Sequence, residues 1–166
     1  MEFSEAKSRF IQAWGTLATS WGINRTMAQI HALLLVSPIA LSADDIMDEL
    51  KISRGNSNMN LRTLIDWGLV HKELRAGERR EFFFAEKDMV DVVRRIIAQR
   101  KKKELEPMLK VLEELSGVTG SSPEAREFSK VITDIQLFSQ KANLTLDTIM
   151  KADANLLIGT LFKMVK

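Results

Sequence analysis

The sequence predicts a mainly α-helical fold carrying one small β-hairpin wing, with further helices at the N- and C-terminal ends. Three observations carry that expectation. Apolar residues recur at spacings of three and four along most of the 166 residues, the period of a helix with one buried face. A single window, 69–85, switches to two strand-like runs around Gly77. The composition, 45% hydrophobic and 28% charged with no Cys, is that of an ordinary globular protein. It excludes intrinsic disorder, disulfide scaffolds, thiolate zinc sites and cysteine nucleophiles.

The elements follow in order. Ser4 is the expected N-cap of a first helix, with Phe10, Trp14, Leu17 and Trp21 as its apolar stripe and Gly22 as its end. A second helix runs from about Arg25 to Val36, with Met27, Ile30, Leu34 and Leu35 inward, and Ser37-Pro38 stops it. Ser42 caps a short helix, Ala43 to Leu50, whose first turn carries Asp44 and Asp45 to complement the helix dipole. Ile52 breaks the register, and Ser53 caps a fourth helix that ends near Trp67 with Gly68 beyond it. Leu69 to Arg75 and Arg80 to Ala85 are strand-like, joined by Ala76-Gly77-Glu78-Arg79. Asp88 caps a long helix. The run Arg100-Lys101-Lys102-Lys103 interrupts its stripe, and Pro107 either kinks it or opens a new helix. Gly117 to Ser122 reads as a linker. Ser122-Pro123 starts a helix with the stripe Phe128, Val131, Ile132, Ile135, Phe138 and Ala142, and a last helix from about Ala152 carries Leu157, Leu161, Phe162 and Val165.

Helix, helix, tight turn, capped helix and two-stranded hairpin, taken together, are the order of a winged helix-turn-helix. Its second helix is built against helix propensity, with Gly55, Asn56, Ser57, Asn58 and Asn60. Local rules are broken this way where function demands it. Asn and Arg are also the side chains whose paired hydrogen-bonding groups match adenine and guanine edges. The period turns Ser57, Asn60, Leu61 and Leu64 inward, and leaves Ser53, Arg54, Asn56, Asn58, Met59, Arg62 and Thr63 as the candidate base-reading edge. Asn60 is expected to bond within the protein. Net charge is only +2, yet residues 51–80 hold 7 basic against 3 acidic side chains, and residues 91–103 hold 6 against 1. Such focused charge suits an anionic partner. At the hairpin tip Arg75, Arg79 and Arg80 bracket Gly77, within reach of phosphate or a minor groove. Phe82, Phe83 and Phe84 alternate faces, with at least one side packed on the helices.

Ile52-Ser53-Arg54-Gly55-Asn56, Met59-Asn60-Leu61-Arg62 and Leu64-Ile65-Asp66-Trp67-Gly68-Leu69-Val70 resemble the MarR-type winged-helix regulators. Within them the chain is most similar to the GbsR-like branch, and the wing Gly77-Glu78-Arg79-Arg80-Glu81-Phe82-Phe83-Phe84 resembles that branch too. Ser57 departs from it, where a small apolar residue is usual. The resemblance covers about residues 5–115. It implies a dimeric bacterial or archaeal transcription regulator that inserts the 53–67 helix into the major groove of double-stranded DNA, and it leaves the identity of any small-molecule effector open.

The expected organisation is a DNA-binding domain over residues 1–88 and a helical dimerisation and effector-sensing region over 89–166, with the first helix also joining the dimer. A ligand-responsive repressor on a pseudo-palindromic operator is the leading expectation. One rival is a winged helix serving as a protein-interaction module without sequence-specific DNA binding. Another is a ligand sensor in which Phe10, Trp14, Trp21 and Phe138 form an aromatic pocket for a quaternary ammonium; a core or dimer seam accounts for their spacing more simply. An enzyme is not expected: His31 and His71 are far apart, and phosphate-loop, Gly-x-Ser-x-Gly and His-Glu-x-x-His patterns are missing. His31 reads as a tolerated interface residue. No cofactor or metal is expected. The longest apolar stretch, Ala32 to Val36, is far short of the ~20 residues of a membrane span, and the acidic, amphipathic opening Met1-Glu2-Phe3-Ser4-Glu5 is unlike a targeting peptide, so a soluble cytoplasmic protein is expected.

Overall fold

The structure is a computed structural model that describes residues 1–152. These residues form two compact units, one running to Val92 and one starting at Val93. In the first, α1 (Phe3–Ser20) packs on α2 (Arg25–Val36), and α3 (Ala43–Leu50) leads through a tight turn into α4 (Arg54–Asp66). Three short strands, β1 (Leu41–Ser42), β2 (Val70–Leu74) and β3 (Glu81–Ala85), complete it. The sheet is antiparallel in the order β1-β3-β2. It is therefore one strand larger than the expected hairpin: Leu41 pairs with Phe83 and Ser42 with Phe82. The fold is a winged helix.

The core lies where α2 crosses the other elements. Ile30, Leu33, Leu34, Ile46, Leu61, Leu64 and Val70 are all fully buried, each contributing about 1.5–3 kcal/mol of apolar burial. Helix α2 is covered nearly all round, with Met27, Ala28, Ile30, His31, Ala32, Leu33 and Leu34 buried. Asn24 caps it through its side chain to the Met27 N–H.

Helix α1 corrects two expectations. Its N-cap is Glu2, without a side-chain capping bond, rather than Ser4. Its buried face is centred on Ile11 and Gly15, while Leu17 and Trp21 are about half exposed. Gly15 explains the rotation: a Cβ there would lie 2.9 Å from Gln29 Cγ, so the smallest residue of the helix marks its closest approach to α2. Gln12 Oε1 reinforces the contact by accepting from both Arg25 and Gln29.

Helix α3 begins in a capping box, as a Ser followed three residues later by a carboxylate favours. Asp45 N–H donates to Ser42 Oγ, and Asp45 Oδ2 accepts from the Ser42 N–H at 2.8 Å and from its hydroxyl at 2.7 Å. These bonds hold the Asp45 carboxyl below the usual carboxylate range, with the Arg80 guanidinium adding to the effect. Helix α4 ends with Gly68 in the left-handed region at φ 71°, a conformation that costs glycine nothing.

The second unit takes in most of α5 (Met89–Arg100), then α6 (Glu106–Leu115) and α7 (Pro123–Lys151). Asp88 Oδ1 caps α5 by accepting from the Val90 and Asp91 N–H groups. Between α5 and α6, Lys101–Leu105 is π-helical, and the Glu106 N–H donates to the Lys101 carbonyl. Pro107 explains it, since proline has no N–H for the Lys103 carbonyl and its ring would clash there. A widened turn displaces that carbonyl without ending the helix. Ser122 caps α7 through the Ala125 N–H, with Pro123 in the first turn. The stripe expected on α7 is mostly uncovered among the described residues: Ile132 is buried, whereas Phe128, Val131, Ile135 and Phe138 are exposed. The helix expected from Ala152 lies outside the described residues.

Candidate nucleic-acid interface

The two faces of α4 separate as the helical period requires. Ser57, Asn60, Leu61 and Leu64 are its buried residues. Ser57 is fully buried and its Oγ meets no hydrogen-bond partner among the described residues. Asn60 Nδ2 donates to the Asn56 carbonyl at 2.8 Å and to Asn56 Oδ1 at 2.7 Å. Asn56 is therefore drawn inward from the edge assigned to it: its side chain is half-buried, bonded to Asn60 and 3.5 Å from Thr26 Oγ1. Ser53 is spent as the N-cap, accepting from the Asn56 N–H. Thr63 returns its hydroxyl to the Met59 carbonyl. Arg54, Asn58, Met59 and Arg62 are left as the exposed edge.

The wing divides its arginines between two faces. Register pairs Lys72 with Phe83 and Glu73 with Phe82, so alternation puts Lys72 and Phe83 on one face and Glu73, Arg75 and Phe82 on the other. The Arg75 guanidinium lies 3.9 Å from the Phe82 ring centroid, and its Nε donates to Glu73 at 2.7 Å. Arg75 is thus stacked and paired within the wing, and it does not line the grooves described below. Phe82 and Phe83 are both buried, on opposite faces, Phe82 beneath Arg75; Phe84 contacts His71. At the tip Gly77 takes φ 82°. Arg80 donates to Glu78 at 3.3 Å. Arg79 is exposed.

Arg54, Asn58, Arg79 and Arg80 come together around a groove of about 340 Å³ between α4 and the wing, floored by Phe83 and also lined by Asp44 and Glu81. An adjoining groove of about 270 Å³ brings Asn58 and Arg62 to Lys72. Lys72 was missed in the sequence. The only signal for it is strand parity, which is readable only once the register with β3 is known; it pairs with Glu81 at 2.8 Å. The arrangement is a concave surface with guanidinium groups from two elements and an exposed amide between them, which matches phosphate and base-edge chemistry.

The second basic window is largely used internally. Arg100 pairs with Glu104 one turn on. Lys101 is mostly buried, with Nζ 2.5 Å from Asp147 and 3.9 Å from Glu106. Arg94 donates to the Ala152 carbonyl. The four residues offered as an aromatic pocket do not share one unit. Phe10 contacts Trp14 and Trp14 contacts His31 in the first, whereas Phe138 is exposed on α7 of the second. His31 is a core residue of α2, not an interface residue.

No helix among the described residues is long and apolar enough to cross a membrane. No family model matches the chain, and no curated protein matches it. A solved structure described as that of a transcriptional regulator is similar to it, with a TM-score of 0.57 at 19% identity, over 86% of this chain and 99% of that chain. The likeness is one of fold.

Proposed function

We infer that the chain is a sequence-specific, DNA-binding transcriptional regulator of the MarR type, GbsR-like branch, working as a cytoplasmic homodimer and ligand-responsive repressor rather than as an enzyme. The observation that carries the reading is the groove in which Arg54 and Asn58 of α4 meet Arg79 and Arg80 of the wing. Phosphate contacts there supply affinity, and the exposed edge of α4 supplies specificity. The likeness of fold to a solved structure described as a transcriptional regulator supports the same reading.

Selection of bound duplexes from a random pool tests it. The expected product is a pseudo-palindrome with half-site centres about one helical turn, ~34 Å, apart. On that sequence Arg54→Ala and Asn58→Ala are each expected to cost about 1–3 kcal/mol and to relax the preference at one position. Enrichment of no sequence, with the protein folded, would leave the protein-interaction module as the better reading.

A further inference from the structure

The groove that gathers the arginines also holds a carboxylate with no evident reason to face DNA. Asp44 stands in the first turn of α3, and its Oδ1 accepts from Arg54 Nη2 at 3.4 Å. The other ion pairs at this surface lie within the wing, Arg80 with Glu78 two residues away and Lys72 with Glu81 across the β2–β3 ladder, where the hairpin itself makes pairing almost unavoidable. Asp44 and Arg54 are ten residues apart on different helices. Both side chains are more than half exposed, so the pair adds little to folding. Complementing the α3 dipole does not require it either, because Asp45 already occupies the same first turn.

We propose that Asp44 is a specificity-determining residue of this interface, an internal competitor that holds Arg54 until the correct base edge replaces it. The assignment rests on the DNA-binding reading above. On a random duplex Arg54 has only phosphate to gain. It must leave Asp44 to do so, and the freed carboxylate then lies in the groove against the polyanion. On the operator, a guanine edge offers Arg54 two acceptors, O6 and N7, in the fork geometry of a guanidinium. That exchange repays the broken pair, and the phosphate exchange does not. The carboxylate thereby weakens random binding more than operator binding, a discrimination built from repulsion.

The test is binding of the full chain to the selected duplex and to a random duplex across a salt series. Asp44→Asn is expected to tighten random binding by about tenfold and operator binding by less, lowering the ratio between them. Its log K against log[salt] slope on random DNA is expected to steepen by about one per protomer, as each freed Arg54 takes a phosphate. In the Arg54→Ala background the same change is expected to leave the ratio as it was. Asp44→Ser, which keeps a polar residue in the first turn of α3, guards against an effect of folding. If wild type binds duplex and both Asp44 variants keep its ratio, Asp44 has no such role and the DNA-binding reading stands. If wild type binds no duplex, both fall together.

Discussion

His31 shows most plainly what one buried side chain costs. It is 3% exposed, and its Nε2 meets no hydrogen-bond partner among the described residues. Burial pushes its pKa from 6.5 down to about 4, because an imidazolium there would lose its hydration with no bond in return. The sign follows. Above pH 6.5 His31 is neutral in both the folded and unfolded chain, and its titration takes nothing from stability. Between 6.5 and 4 only the unfolded chain takes up the proton, so stability falls with pH, by about 2 kcal/mol between pH 7 and pH 5 at this site. His31→Leu keeps the volume and removes the titration. Urea unfolding at the two pH values is expected to show a loss smaller by that amount in the variant; equal losses would assign the pH dependence elsewhere. The helical spacing placed His31 correctly on α2, but it could not tell that α2 is buried on nearly every side. That depends on α1, α4 and the sheet all reaching one helix. Asn56 illustrates the same limit on the candidate site: its phase on α4 was legible, and its bond to Asn60 was not.

Among the elements, the turn between α3 and α4 sets how α4 is presented. It turns on Lys51, at φ 55° and ψ 46°, the one described non-glycine residue in the left-handed region. The Lys51 and Ile52 N–H groups both return to the Met47 carbonyl. Lysine pays a steric cost there that glycine does not. Lys51→Gly is therefore expected to raise stability by about 0.5–1 kcal/mol after its greater unfolded-state entropy, and Lys51→Val to lower it by about 1–2 kcal/mol. Thermal unfolding of the two variants checks the pair, and a less stable glycine variant would refute a left-handed turn. Helices α2, α3, α4 and α7 were legible because each joins a sustained period to a side-chain cap, at Asn24, Ser42, Ser53 or Ser122. Strand β1 was not, because two residues have no period and become a strand by pairing with β3, about forty residues on. At Pro107 the sequence offered a kink or a new helix. The second holds, since Pro107 lies in the first turn of α6, and the widened turn before it displaces the Lys103 carbonyl. In the wing, the count of arginines was legible, but their directions were not until the register of β2 with β3 put Arg75 over Phe82.

At the scale of the whole molecule, the question is what covers the apolar surface left outside the two cores. Among the described residues of the second unit, only Leu112 and Ile132 are buried apolar side chains, while Met108, Val111, Phe128, Val131, Ile135, Leu137, Phe138 and Leu144 are exposed. So little burial does not stabilise a helical unit of this size, and a patch of that kind on a monomer marks an interaction surface. In the regulator reading the covering surface is a second copy. A closed two-fold dimer is the commonest solution, and it is also the one that sets two α4 helices on two half-sites. Light scattering at micromolar concentration is expected to give twice the 18.8 kDa of one chain. Phe138, at 74% exposure, and Leu144, at 65%, are free of the described core, so Phe138→Asp with Leu144→Asp tests the surface without opening that core. The double variant is expected to shift toward monomer and to lose most of its preference for a two-half-site duplex over a single half-site. The isolated half-site, which needs only one groove, is expected to bind about as before. A wild-type chain that scatters as a monomer, or a double variant that stays dimeric and keeps the two-half-site preference, would place the dimer seam elsewhere or remove it.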